Sequence, residues 1–106
     1  MNIKIGGQIF KVIFVNDLRD ETGKRVNGTI MTDQCSIYIA TDVTKQKQHS
    51  ILIHEVLHGI HTHYDVEGTE HIVAKIANGI YAFIVDNPIF IKELIKHNEK
   101  LREEKK

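Results

Sequence analysis

Cysteine is almost missing from this chain: Cys35 is the only one among 106 residues. An intrachain disulfide is therefore impossible, and so is a thiolate zinc cluster. No motif surrounds Cys35, which reads as a small strand residue. Net charge is missing as well. Fourteen Lys and Arg balance fourteen Asp and Glu, which argues against a protein built to grip nucleic-acid phosphates or an anionic membrane. The only basic cluster, Lys100 to Lys106, is interleaved with Glu99, Glu103 and Glu104 and reads as a solvated helix end. No apolar run approaches the length of a membrane span. The N-terminus begins on a strand-like pattern rather than a secretion signal, so the expected compartment is the cytoplasm. Repeats, linkers and low-complexity segments are lacking too. What remains is a single domain over residues 1–106, with an apolar fraction of 42% that suffices for one modest core.

The first 40 residues carry β-type patterning. After the Gly6-Gly7 turn signal, Gln8 to Val15 is rich in β-branched and aromatic residues. Asn16 to Lys24 is polar and turn-rich. Arg25 to Thr32 and Cys35 to Ala40 read as two further short strands. Asp42 or Thr44 then offers an N-cap for a helix running to about Thr62. A second helix is expected from about Thr69 to Val85. Pro88, with Asn87 as its cap, suits the first turn of a third. Strands segregated from helices imply an α+β domain whose sheet packs on the first helix.

That helix carries the most informative residues of the chain, His54-Glu55-Val56-Leu57-His58. Two His four positions apart share one helical face, about one turn apart, and can reach one metal ion together. The Glu between them lies about 100° round the axis from the first His, where it can flank a metal-bound water. This is the HExxH arrangement of zinc-dependent peptidases. Ile51, Ile53, Val56, Leu57 and Ile60 surround it, and no other charge falls between the two His. A solvated helix with accidental His would carry more Lys and Glu there.

A catalytic zinc site needs a third protein ligand. His61 lies about 10 Å further along the axis than His54 and overshoots. The extended pattern HExxHxxGxxH fails, because its Gly and last His are replaced by His61 and Tyr64. On a helical wheel of the second helix, Val73, Ala74, Ala77, Ile80, Tyr81 and Ile84 all fall within about 80° of Glu70. Glu70 thus closes one end of an apolar stripe, where a carboxylate needs a partner. The plainer alternative is an acidic residue in the first turn after a Thr69 N-cap, which the helix dipole alone favours. His71, Glu67, Asp65, His61 and His63 remain as alternatives, while His49 and His97 read as exposed histidines.

Ile53 to Ile60, Glu70, Ala74 to Tyr81 (AKIANGIY) and Asp86-Asn87-Pro88 together resemble the small HExxH proteins of phages and mobile elements. These are zinc metallopeptidases of minimal gluzincin-like type, distantly similar to the ImmA/IrrE proteins. The resemblance covers about the last two thirds of the chain. It implies a three-stranded antiparallel sheet, the motif helix and a Glu-bearing helix, with one Zn2+ held by His54, His58 and Glu70. Two departures stand out. Larger gluzincins carry an acidic residue four positions after the third ligand, where this chain has Ala74, so support for the ligands would fall to Asn78 or a backbone carbonyl. No second subdomain is evident to wall a cleft.

The expected chemistry is peptide-bond hydrolysis by zinc-activated water, with Glu55 as general base. An oxyanion donor would come from Tyr64, His63, His71 or Tyr81. The strand Cys35 to Ala40 is expected at the sheet edge, where a protein or peptide substrate could add to it. The alternative expectation is a non-catalytic, zinc-stabilised protein-binding module.

Overall fold

The computed structural model describes residues 1–63 and 70–104. Strands β1 (Asn2–Ile5) and β2 (Gln8–Val15) form an antiparallel hairpin. Its two turn residues, Gly6 and Gly7, have φ of 56° and 88°, the left-handed backbone that a two-residue hairpin matching strand twist requires. The chain then leaves the sheet through residues 16–27. Asp20 pins this excursion, its Oδ1 accepting hydrogen bonds from the backbone N–H groups of Thr22 and Lys24 and from the Thr22 hydroxyl. Strand β3 (Gly28–Met31), a 3-10 turn over Thr32–Gln34 and strand β4 (Ser36–Ala40) follow.

Four strands, not three, make the sheet, and their order is β1-β2-β4-β3. The expected all-antiparallel pattern is overturned as well: β2 and β4 run parallel, with Lys11 opposite Ser36 and Val15 opposite Ala40. Antiparallel pairing joins β3 to β4 and β1 to β2. The excursion of residues 16–27 is long enough to bring β3 back on the far side, so β4 enters between β2 and β3. Its composition suits that place, because Ile37, Ile39 and Ala40 are all fully buried. The segment expected at the edge is therefore interior, and β1 and β3 are the edges. Cys35 is not a strand residue. It sits in the left-handed turn before β4, at φ 50°.

Helix α1 (Lys45–His63) lies across this sheet. Thr44 caps it, its hydroxyl accepting from Lys47 N at 3.1 Å, while Asp42, the other candidate cap, pairs with Arg25 at 2.8 Å. Ile51 joins Ile5, Phe10, Val12, Ile37 and Ile39 in the main core. On the opposite side of α1, Leu57 packs with Val73 and Ala77 of α2 (Glu70–Asp86). Asn87 hydrogen-bonds back to the Phe83 carbonyl at 2.9 Å, and Pro88 opens α3 (Pro88–Glu104), which buries no residue. Among the described residues no helix is long and apolar enough to cross a membrane.

One glycine sets how closely α1 approaches the sheet edge. A Cβ on Gly28 would stand 2.5 Å from Ile51 Cγ2, 3.2 Å from Glu55 Cγ and 3.3 Å from the Tyr38 carbonyl. Gly28→Ala should lower unfolding free energy in urea by about 1–3 kcal/mol through overpacking. Gly79, inside α2 with nothing within 4 Å of an added Cβ, should gain up to about 1 kcal/mol as Ala. Equal effects of the two substitutions would refute the close contact at Gly28.

Candidate metal centre

Three sides of α1 have three uses. Ile51, Glu55 and Gly59 recur every four residues and face the sheet, with Gly28 and Ile30 of β3 against them. Leu57 faces α2. His54 and His58 lie on the flank between, about 100° and 60° round the helix from Glu55. This flank opens into a groove of about 730 Å³, walled by β3, α1 and the start of α2.

The imidazoles converge there. His54 Nε2 and His58 Nε2 are 3.2 Å apart. Glu70, the first residue of α2, reaches across with one carboxylate oxygen 2.6 Å from His54 Nε2 and the other 2.6 Å from His58 Nε2. Glu70 is 70% exposed, and an ion pair that open to water contributes little on its own. Two imidazole nitrogens and a carboxylate aimed at one point are the donor set of a three-ligand zinc site. The residues present therefore fit a divalent metal, with the groove side left open.

Glu55 is the second carboxylate at this point. One of its oxygens and the His54 and His58 nitrogens all lie within 4.8 Å of one another, so it competes with Glu70 as a possible third ligand. The environments separate them. Glu55 is only 6% exposed, and its Oε2 has no hydrogen-bond partner among the described residues. Burial, with a further contribution from the nearby Glu70 charge, pushes its carboxyl up to about 7. A carboxyl held near neutrality beside the donor set suits proton transfer, whereas Glu70 is the one that touches both imidazoles.

Other expected residues fare differently. Glu70 was placed at the end of one apolar stripe, but that stripe divides: Val73 and Ala77 are buried, while Ile80 and Ile84 are exposed. His63 packs its ring against Gly6 in the β1-β2 turn. His71 is exposed, and Asp65, Glu67 and Tyr64 lie outside the described residues. Tyr81, eleven residues after Glu70, is about 16 Å further along α2, too far to serve as an oxyanion donor. Asn78 does line the groove, beside Ala74. The sequence reading missed Gly28 and the basic end of the groove, Lys24, Arg25 and Lys47, since nothing local to those residues marks them.

In metal-free protein, Glu55 should leave a pH signature on stability. Between pH 4.5 and about 7 the folded state keeps a proton that the unfolded chain has released. Its contribution is complete below pH 4.5 and is lost as pH rises toward 7, by up to about 3 kcal/mol. Urea unfolding with chelator at pH 5 and pH 8 should show the wild type losing that much more than Glu55→Gln. A parallel loss in both proteins would assign the effect elsewhere. Comparison with known protein families, curated proteins and solved structures finds no match, so function has to be read from this geometry alone.

Proposed function

We propose that the protein is a zinc-dependent peptidase with a narrow protein or peptide substrate. The observation that carries this reading is the convergence of His54, His58 and Glu70 beside a buried, unpartnered Glu55 oxygen. His54 Nε2, His58 Nε2 and the Glu70 carboxylate would hold one Zn2+. A zinc ion so held would supply Lewis acidity, acidifying a water and polarising a carbonyl. Glu55 accepts a proton from the attacking water at its carboxylate and passes it to the leaving amine nitrogen. The apolar wall that buries Glu55 keeps its proton affinity near that of the groups it exchanges with.

The substrate's place follows from the edge strand. Ala40 N donates to Asn27 O at 2.8 Å, and Gly28 lies opposite Ile39 in the same ladder. In antiparallel pairing, hydrogen-bonded and non-bonded pairs alternate. Asn27 and Thr29 therefore turn their backbone groups to β4, while Gly28 and Ile30 turn theirs outward, along the groove. An extended peptide added antiparallel at that edge would meet both residues and lie beside the metal ligands. Its C-terminal side would run toward Lys24, Arg25 and Lys47.

Metal content should be measured by mass spectrometry on untagged protein after zinc loading. About one zinc per chain is expected in the wild type, with loss in His58→Ala and Glu70→Ala. A mixed peptide library should then be cleaved by the wild type and left intact by Glu55→Gln, with zinc content unchanged. No zinc uptake would refute the site. Zinc retained with no cleavage in either protein would leave a zinc-stabilised binding module instead.

A further inference from the structure

The groove that holds the candidate metal centre carries charges of opposite sign at its two ends. Glu55 and Glu70 stand with the imidazoles at one end, and Lys24, Arg25 and Lys47 line the other. Helix geometry gives the separation. Lys47 precedes His54 by seven residues, which places it within about 20° of the same flank and about 10 Å nearer the start of α1. Helix α1 and β3 run in the same direction along the groove, since Gly28 lies against Ile51 and Glu55 while Gly59 lies against Ile30. The chain just before β3 therefore reaches the same end. Arg25, three residues ahead of Gly28, is at most about 10 Å from it.

Two of these three cations are answered within the fold. Arg25 pairs with Asp42 at 2.8 Å, and Asp20 is close enough to feel the charge of Lys24. Lys47 is exposed and forms no ion pair among the described residues. It also stands where a helix gains least from a cation. Thr44 caps α1 by accepting from the Lys47 backbone N–H, so Lys47 is the third helical residue, the place of the Glu or Gln in a capping box. Lys45 shares this first turn, which contains no acidic residue, and both cations oppose the helix dipole. The stability of α1 accounts for neither. A negative group entering the groove would meet Lys47, the start of the helix and Lys24 together.

We propose that this end of the groove binds a carboxylate of the substrate about three residues after the scissile bond, with Lys47 as the residue that selects it. The inference rests on the peptidase reading and names its substrate class, peptides and proteins that are acidic on the C-terminal side of the cut. An extended strand advances about 3.3 Å per residue, so the interval between His54 and Lys47 holds about three residues of substrate. A peptide added antiparallel to β3 runs its C-terminal side this way. The reach of a lysine and of an acidic side chain widens the match to the second through fourth residues after the cut. The carboxylate belongs either to an Asp or Glu side chain or to the end of the substrate chain.

A random peptide library tests this in two arms. In the first, the zinc-loaded full chain cleaves the library and the new N-termini are sequenced. Asp and Glu should be enriched about five-fold at the second to fourth residues after the cut, the scale of an exposed ion pair. Lys47→Glu completes the capping box, so it should melt no lower than the wild type. It should lose the acidic enrichment and favour Lys and Arg instead. In the second arm, immobilised zinc-loaded Glu55→Gln retains peptides without cutting them. The retained pool should show the same acidic bias, reversed in the Glu55→Gln, Lys47→Glu double variant. Cleavage with no acidic bias overturns the proposal and leaves the peptidase reading standing, and a bias that survives Lys47→Glu overturns it as well. Acidic peptides retained through Lys47, with no cleavage by the wild type, would sink the peptidase reading alone and keep the carboxylate site. Neither cleavage nor acidic retention overturns both. A bias abolished by amidating the library's C-termini would identify the carboxylate as the chain end, and one that persists as a side chain.

Discussion

The close seat of α1 on the edge of the sheet is the constraint from which the rest follows. Gly28 has no side chain, so Ile51 comes down onto β3 closer than a Cβ would allow, and Glu55 sits beside it at a distance a Cβ would crowd. With that face of α1 fixed, Leu57 must face the other way and receive α2. The imidazoles of His54 and His58 are left on the flank, and the start of α2 swings Glu70 across to meet them. The burial of Glu55 has the same origin. Its carboxyl is raised by that burial first and by the nearby Glu70 charge second, and Gly28 stands close beside its Cγ.

The sequence disclosed what depends on short separations. The HExxH spacing, the Thr44 cap, the helix junction at Asn87-Pro88 and the α+β order are local properties, and each is seen in the fold. Strand pairing is not local. Cys35 to Ala40 could be read as a strand, but its central position depends on where residues 16–27 return the chain. A run of four apolar-patterned segments does not encode that return. The burial of Glu55 was equally hidden, because the residue responsible stands 27 positions earlier. Helix α2 misled for another reason. Its wheel showed one broad apolar stripe, whereas the fold uses Val73 and Ala77 and leaves Ile80 and Ile84 outside. Periodicity reports that residues are apolar, not what covers them.

Glu55 and Glu70 illustrate how surroundings divide labour between like groups. Both are carboxylates near the same two imidazoles. One is buried and its carboxyl is raised toward the neutral form, while the other stands largely exposed at the first residue of α2, against both imidazoles. No difference in side-chain chemistry is needed to give them separate tasks.

The parallel pairing of β2 with β4 bears on how the molecule forms. His54 and His58 become neighbours as soon as one stretch of helix winds, an event of about a microsecond. Completing the sheet by joining β2 to β4 requires residues about 25 apart, such as Lys11 and Ser36, to find one another. Such non-local closures are slow. The imidazole pair and the β3-β4 hairpin, whose innermost pair Met31 and Ser36 is five residues apart, should therefore form before that hairpin joins β2.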